Sequence, residues 1–121
     1  SVRGADYVFR LPAVPAELRL ISRAASPAEL GLARDFRSLG VAVSWMAGFC
    51  GPQHRILQAG DARLADGFHG YEPTLDLRWT DGDAVLPPAL LAGFTGPVEV
   101  VLNIAASSTR YPDDGKVRTA A

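Results

Sequence analysis

Leu75-Asp76-Leu77-Arg78-Trp79-Thr80-Asp81-Gly82-Asp83 is the stretch that decides the fold. Leu75, Leu77 and Trp79 alternate with Asp76, Arg78 and Thr80, the period of a strand with one buried and one solvated face. The run stops at Thr80-Asp81-Gly82-Asp83, a turn signal in which Gly supplies positive φ and Asp accepts local amide hydrogen bonds. The same pattern recurs along the chain. Tyr7, Phe9 and Leu11 alternate with Val8 and Arg10 until Pro12, and Leu18, Leu20 and Ser22 alternate with Arg19, Ile21 and Arg23. Val41, Val43 and Trp45 alternate with Ala42, Ser44 and Met46, a strand buried on at least one face. Arg55 to Leu57 is a short strand. Val98, Val100, Leu102 and Ile104 turn one way while Glu99, Val101 and Asn103 turn the other. No stretch holds a 3.6-residue apolar period for three turns. Six or seven such strands predict an all-β fold: a two-sheet antiparallel β-sandwich, jelly-roll-like, with one or two short helical turns.

Those turns are expected at Ser26-Pro27-Ala28-Glu29-Leu30, with Ser26 as the cap and Pro27 at the first position, and at Pro87-Pro88-Ala89-Leu90-Leu91. Residues 1–106 read as the sandwich domain and 107–121 as a polar, loosely held tail. The length of 121 residues is that of one domain, able to bury a core without a metal or disulfide staple. Apolar and charged fractions of 48% and 21% exclude a disordered or fibrous chain. A net charge of −1 gives no whole-molecule attraction to nucleic acid or anionic lipid. The apolar run Val85 to Phe94 is about half a membrane span and carries two prolines and a glycine, so no membrane insertion is expected. Cys50 is the single cysteine and leaves the redox compartment open. No signal-peptide pattern opens the chain.

Five segments, taken in order, carry a family likeness: Leu18-Arg19-Leu20-Ile21-Ser22-Arg23, Ser26-Pro27-Ala28-Glu29-Leu30, Asp35-Phe36-Arg37-Ser38-Leu39-Gly40-Val41-Ala42-Val43, Gly67-Phe68-His69-Gly70-Tyr71-Glu72, and Leu77-Arg78-Trp79-Thr80-Asp81-Gly82-Asp83-Ala84. This order resembles a β-sandwich accessory domain of bacterial cell-surface and polysaccharide-related proteins. It is most similar to the region that follows the autoprocessing Hint domain in some proteobacterial secreted proteins. The resemblance implies the sandwich fold, a surface-glycan context and an extracellular or cell-surface location. The Hint catalytic module itself is not visible in the chain.

The stretch Gly67 to Asp83 gathers the residues best suited to a ligand: His69, Tyr71 and Glu72 in a loop, then Arg78, Trp79 and Asp81 at a strand end. A sugar is held by a flat aromatic face against its C–H groups, with carboxylate and guanidinium groups bonding its hydroxyls. The competing reading places Trp79 in the core, since it shares a face with Leu75 and Leu77. Asp35 and Arg37, before Val41, read either as ligand contacts or as a structural anchor. Asp76, Asp81 and Asp83 raise Ca2+ as a cofactor, although hairpin turns use the same residues without metal and no other cofactor is implied. His54, His69 and Cys50 lack zinc-ligand spacing. Cys50 with His54 is the one nucleophile–base pairing worth testing, against an inert, partly buried thiol. No phosphate loop or dinucleotide fingerprint occurs. The chain therefore reads as a non-catalytic carbohydrate-recognition module for bacterial surface or extracellular polysaccharide. The alternative is a structural or assembly module that docks on a neighbouring domain or forms a homo-oligomer.

Overall fold

The computed structural model describes residues 4–24 and 38–107, together with the backbone of 115–120. Eight strands and one 3-10 turn are present among them. They are β1 (Ala5–Leu11), β2 (Glu17–Ser22), β3 (Val41–Cys50), β4 (Gln53–Gln58), β5 (Arg78–Trp79), β6 (Asp83–Val85), β7 (Val98–Ser107) and β8 (Gly115–Ala120), with the 3-10 turn at Pro88–Leu90. The larger sheet runs β1-β7-β3-β4, with β5 also on β3; the smaller runs β6-β2-β8. Every pairing is antiparallel. Three pairs nest inside one another, β1 with β7, β2 with β6 and β3 with β5. The chain is thus wound as one long hairpin rolled onto itself, which is how a jelly-roll sandwich buries two inner faces.

The core lies between the sheets. Leu18 and Leu20 of β2 meet Val43 and Met46 of β3, Leu57 of β4, and Val98, Val100 and Leu102 of β7, while Leu86, Leu90, Leu91 and Phe94 close one end. Each such side chain contributes roughly 1.5–3 kcal/mol of burial. Two prolines at 87 and 88 fix φ where the 3-10 turn starts, as the sequence predicts. Arg55 fastens that turn to β4, donating to the carbonyls of Ala89 (2.7 Å) and Ala92 (2.9 Å) with its guanidinium 4.8 Å from the Phe94 ring centre.

Three expectations change. Val41, Val43 and Trp45 do not share a face, because irregularities in the β3–β7 register lie on both sides of Val43. The extra residue turns Val43 and Met46 both inward and sends Trp45 outward. Residues 75–80 are not one continuous strand: residues 73–76 form a turn with Asp76 at φ 51°, Leu75 is 49% exposed, and only Leu77 of the leucine pair is buried. The segment expected as a loose tail supplies β8, paired with β2 from Glu17↔Ala120 to Ser22↔Gly115. Ser26-Pro27, Asp35 and Arg37 lie outside the described residues.

The two sheets are tied together around Thr80. Thr80 is fully buried; its amide donates to Val41 O (2.8 Å), its carbonyl accepts from Gly40 N (2.8 Å), and its Oγ1 accepts from the amides of Val41 (3.2 Å) and Gly82 (3.4 Å). Gly82, at φ 107°, then accepts from the Ser22 amide of β2 at 2.9 Å. Gly40 has no room for a side chain: a Cβ there would lie 2.5 Å from both Ser22 Oγ and Thr80 Oγ1 and 2.8 Å from Gly82 N. Gly40→Ala is therefore expected to lower unfolding stability by about 1–3 kcal/mol in a denaturant titration. Gly70→Ala, where a Cβ meets nothing within 4 Å, should stay within about 0.5 kcal/mol of the parent.

Candidate functional site

The loop from Ala59 to Asp81 folds around Arg78. Its Nε donates to Ala59 O (2.8 Å), Nη1 to Leu64 O (3.1 Å) and His69 O (3.3 Å), and Nη2 reaches Asp61 O at 3.5 Å. A planar fork that spans four carbonyls is what arginine offers and lysine does not. Arg78 is thus a positioning group within the fold, four of its five N–H hydrogens given to loop carbonyls. His69 is turned inward too: its Nε2 donates to Ser38 O at 2.7 Å, and its amide bonds Trp79 O at 2.8 Å. Asp81 is exposed, but its Oδ1 accepts from the Asp83 amide at 2.9 Å, the local bond expected of a turn aspartate.

Tyr71 is the most open aromatic of this group, 36% exposed. Its hydroxyl donates to Asp76 Oδ1 at 2.6 Å, and that bond to a carboxylate raises the phenol above its ordinary pKa. The Arg78 guanidinium lies 5.9 Å from its ring centre. Glu72 is half-buried and exchanges backbone bonds with Leu77. Trp79, also half-buried, pairs with Ala42 in the larger sheet, between the two sequence readings of core and rim. The six residues singled out from sequence are gathered by one loop and strand end, but most of their polar groups serve that loop.

The metal and nucleophile readings find no geometry. Among the described residues no three His, Cys, Asp or Glu side chains come together around a cation. Asp76 takes the Tyr71 hydroxyl, and Asp83 takes Arg19 at 2.9 Å. Cys50 pairs with Gln53 across β3–β4 while His54 pairs with Phe49, so the thiol and the imidazole project from opposite faces of the sheet. The Cys50 thiol donates to Thr95 O at 3.2 Å. An apolar cleft of about 290 Å3 opens between the β1–β2 link and the 3-10 turn, bordered by Pro15, Leu18, Pro87, Leu91 and Phe94. Its one carboxylate, Glu17, is bonded to Arg19. Among the described residues no helix is long and apolar enough to cross a membrane.

A second surface went unread in the sequence. The outer face of the larger sheet carries three rows that run straight across β1, β7, β3 and β4. The middle row is Val8, Val101, Ala47 and Ile56; one flanking row is Asp6, Asn103, Trp45 and Gln58; the other is Arg10, Glu99, Phe49 and His54. Ala47 and Val101 are buried at the centre, while Val8 and Ile56 are 48% and 51% exposed at the two ends. Trp45 and Phe49 are half-buried, and Phe49 stacks on His54 with ring centres 6.1 Å apart. The edges are polar, with Asn103 donating to Asp6 at 2.7 Å and Arg10 bonded to Glu99 at 2.9 Å. The signal was present in β3, where Trp45, Ala47 and Phe49 make the second face as apolar as the first.

In comparisons with known proteins, no family model, curated protein or solved structure matches the chain. Its chemistry rests on the geometry above.

Asp61 offers a pH test of the loop. The Arg63 guanidinium bonded to its carboxylate (2.8 and 3.0 Å), the Arg63 amide (2.9 Å) and the nearby charge of Arg78 hold its pKa down to about 2. The folded value lies below the ordinary one of 3.8, so the carboxylate stabilises the fold above about pH 4, and this is lost as pH falls toward 2. Melting curves between these limits should fall less steeply for Asp61→Asn than for the parent.

Proposed function

We propose that this domain is a non-catalytic association module whose working surface is the outer face of its larger sheet. The observation that carries the reading is the apolar row Val8–Val101–Ala47–Ile56, exposed at both ends and flanked by Trp45 and Phe49. A sheet face turned to solvent ordinarily carries polar side chains. Here exposed Val8 and Ile56 with half-buried Trp45 and Phe49, rimmed by polar groups, give the apolar and aromatic composition of an interface centre. The fold supplies rigidity: four strands fix these side chains, so little ordering entropy remains to be lost on docking. The accessory-domain resemblance fits a part that attaches to something else and performs no reaction itself.

Photo-crosslinking tests the surface whatever its partner is. A benzoyl-phenylalanine placed at Ile56 should give a discrete adduct in cells that make the protein, and the same probe at Gly70 should not. Equal labelling from both positions, or none from Ile56, removes the reading.

A second reading, recognition of a bacterial polysaccharide, is favoured by the exposed ring of Tyr71, set beside Glu72 and Asp76 with Arg78 behind it. An aromatic plane with flanking carboxylates fits a sugar's C–H face and hydroxyls. A single shallow site of this kind binds in roughly the millimolar to micromolar range. Calorimetry with capsular polysaccharides should show heat that Tyr71→Ala abolishes while the circular-dichroism spectrum stays that of the folded parent. Unchanged heat in that variant, or none in the parent, rules the sugar site out.

A further inference from the structure

We infer that the partner of the outer sheet face is a second copy of this chain, stacked face to face about a two-fold axis that runs along the middle row. The inference rests on the association reading above and names its partner. The register supplies the argument. An axis along Val8–Val101–Ala47–Ile56 leaves each strand stacked antiparallel on its own copy and lays one flanking row over the other.

Asp6 then faces Arg10 of the other copy, and Arg10 faces its Asp6, so one operation makes two opposite-charge contacts. In the same step Trp45 meets Phe49, Gln58 meets His54, and Val8 and Ile56 each meet themselves. Ala47, the smallest residue of the centre row, lies on the axis, where sheets about 10 Å apart leave room for the neighbouring rings.

The alternative axis, along the strands, sets Arg10 opposite His54 and Asp6 opposite Gln58 and pairs no opposite charges. The charge pattern therefore selects one stacking. Both charged groups are exposed, and each keeps hydrogen-bonding atoms beyond the one its neighbour takes. The Arg10 side chain is 82% exposed with one nitrogen bonded to Glu99, and Asp6 is exposed with one oxygen accepting from Asn103.

Charge swapping tests this stacking and no other. The chain is followed by sedimentation equilibrium from micromolar to millimolar concentration, with circular dichroism as the fold control. Parent protein should show a monomer–dimer equilibrium. Asp6→Arg alone sets arginine against arginine at both contacts, and Arg10→Asp alone sets aspartate against aspartate; each should raise the dimer Kd by about tenfold or more. An equimolar mixture of the two variants should dimerise as well as the parent, since each supplies the charge the other lacks.

A mixture no tighter than its components overturns the stacking, as does a parent that stays monomeric throughout. In that second case an adduct from Ile56 to another protein or to a glycan would still uphold the association surface. No adduct at all would remove both.

Discussion

The constraint on which the molecule depends is the approach of two backbones at Gly40 and Thr80. Among the described residues the layers of this sandwich share no strand-to-strand ladder, and non-directional apolar contact alone does not set how the sheets sit in register. Here Thr80 bonds Gly40 and Val41 in the larger sheet, and Gly82 bonds Ser22 in the smaller. The absence of a Cβ at Gly40 lets these groups meet. Once that point is set, the leucines of β2 lie over Val43, Met46 and Leu102, and the alternation of each strand assigns its inner face.

Arg78 extends the same control to the long loop before β5. Residues 59–77 contain little regular structure, and their carbonyls would otherwise depend on water or remain unsatisfied. One guanidinium collects four of them, and the His69 ring reaches back to Ser38. This is why the loop reads like a ligand site in sequence. Arginine, histidine, aromatic and acidic residues are the vocabulary of recognition, and they are equally the means by which an irregular segment satisfies its own backbone.

The outer sheet face follows from the opposite circumstance. Its side chains are set by the pleat of four paired strands. The register irregularity around Val43 shifts Trp45 outward, where it joins Ala47 and Phe49. The leucine-rich cluster lies on the other side of the sheet, while Ala47 and Val101 are buried on this one.

From the residues alone came the β class, the positive φ of Gly82, the 3-10 turn after Pro87, and strands at Tyr7–Leu11, Leu18–Ser22, Val41–Met46 and Val98–Ile104. Period-two alternation and the fixed φ of proline are local properties, and a short window contains them whole. Three-dimensional pairing decided the rest. An inserted residue in β3 is defined only against β7, so the face of Trp45 could not be read from β3 itself. The partners of Arg78 lie up to 19 residues away, and those of β2 more than 60. Whether a polar side chain points to solvent or to a distant carbonyl depends on how the chain returns, and that is settled by the joint burial of both sheets.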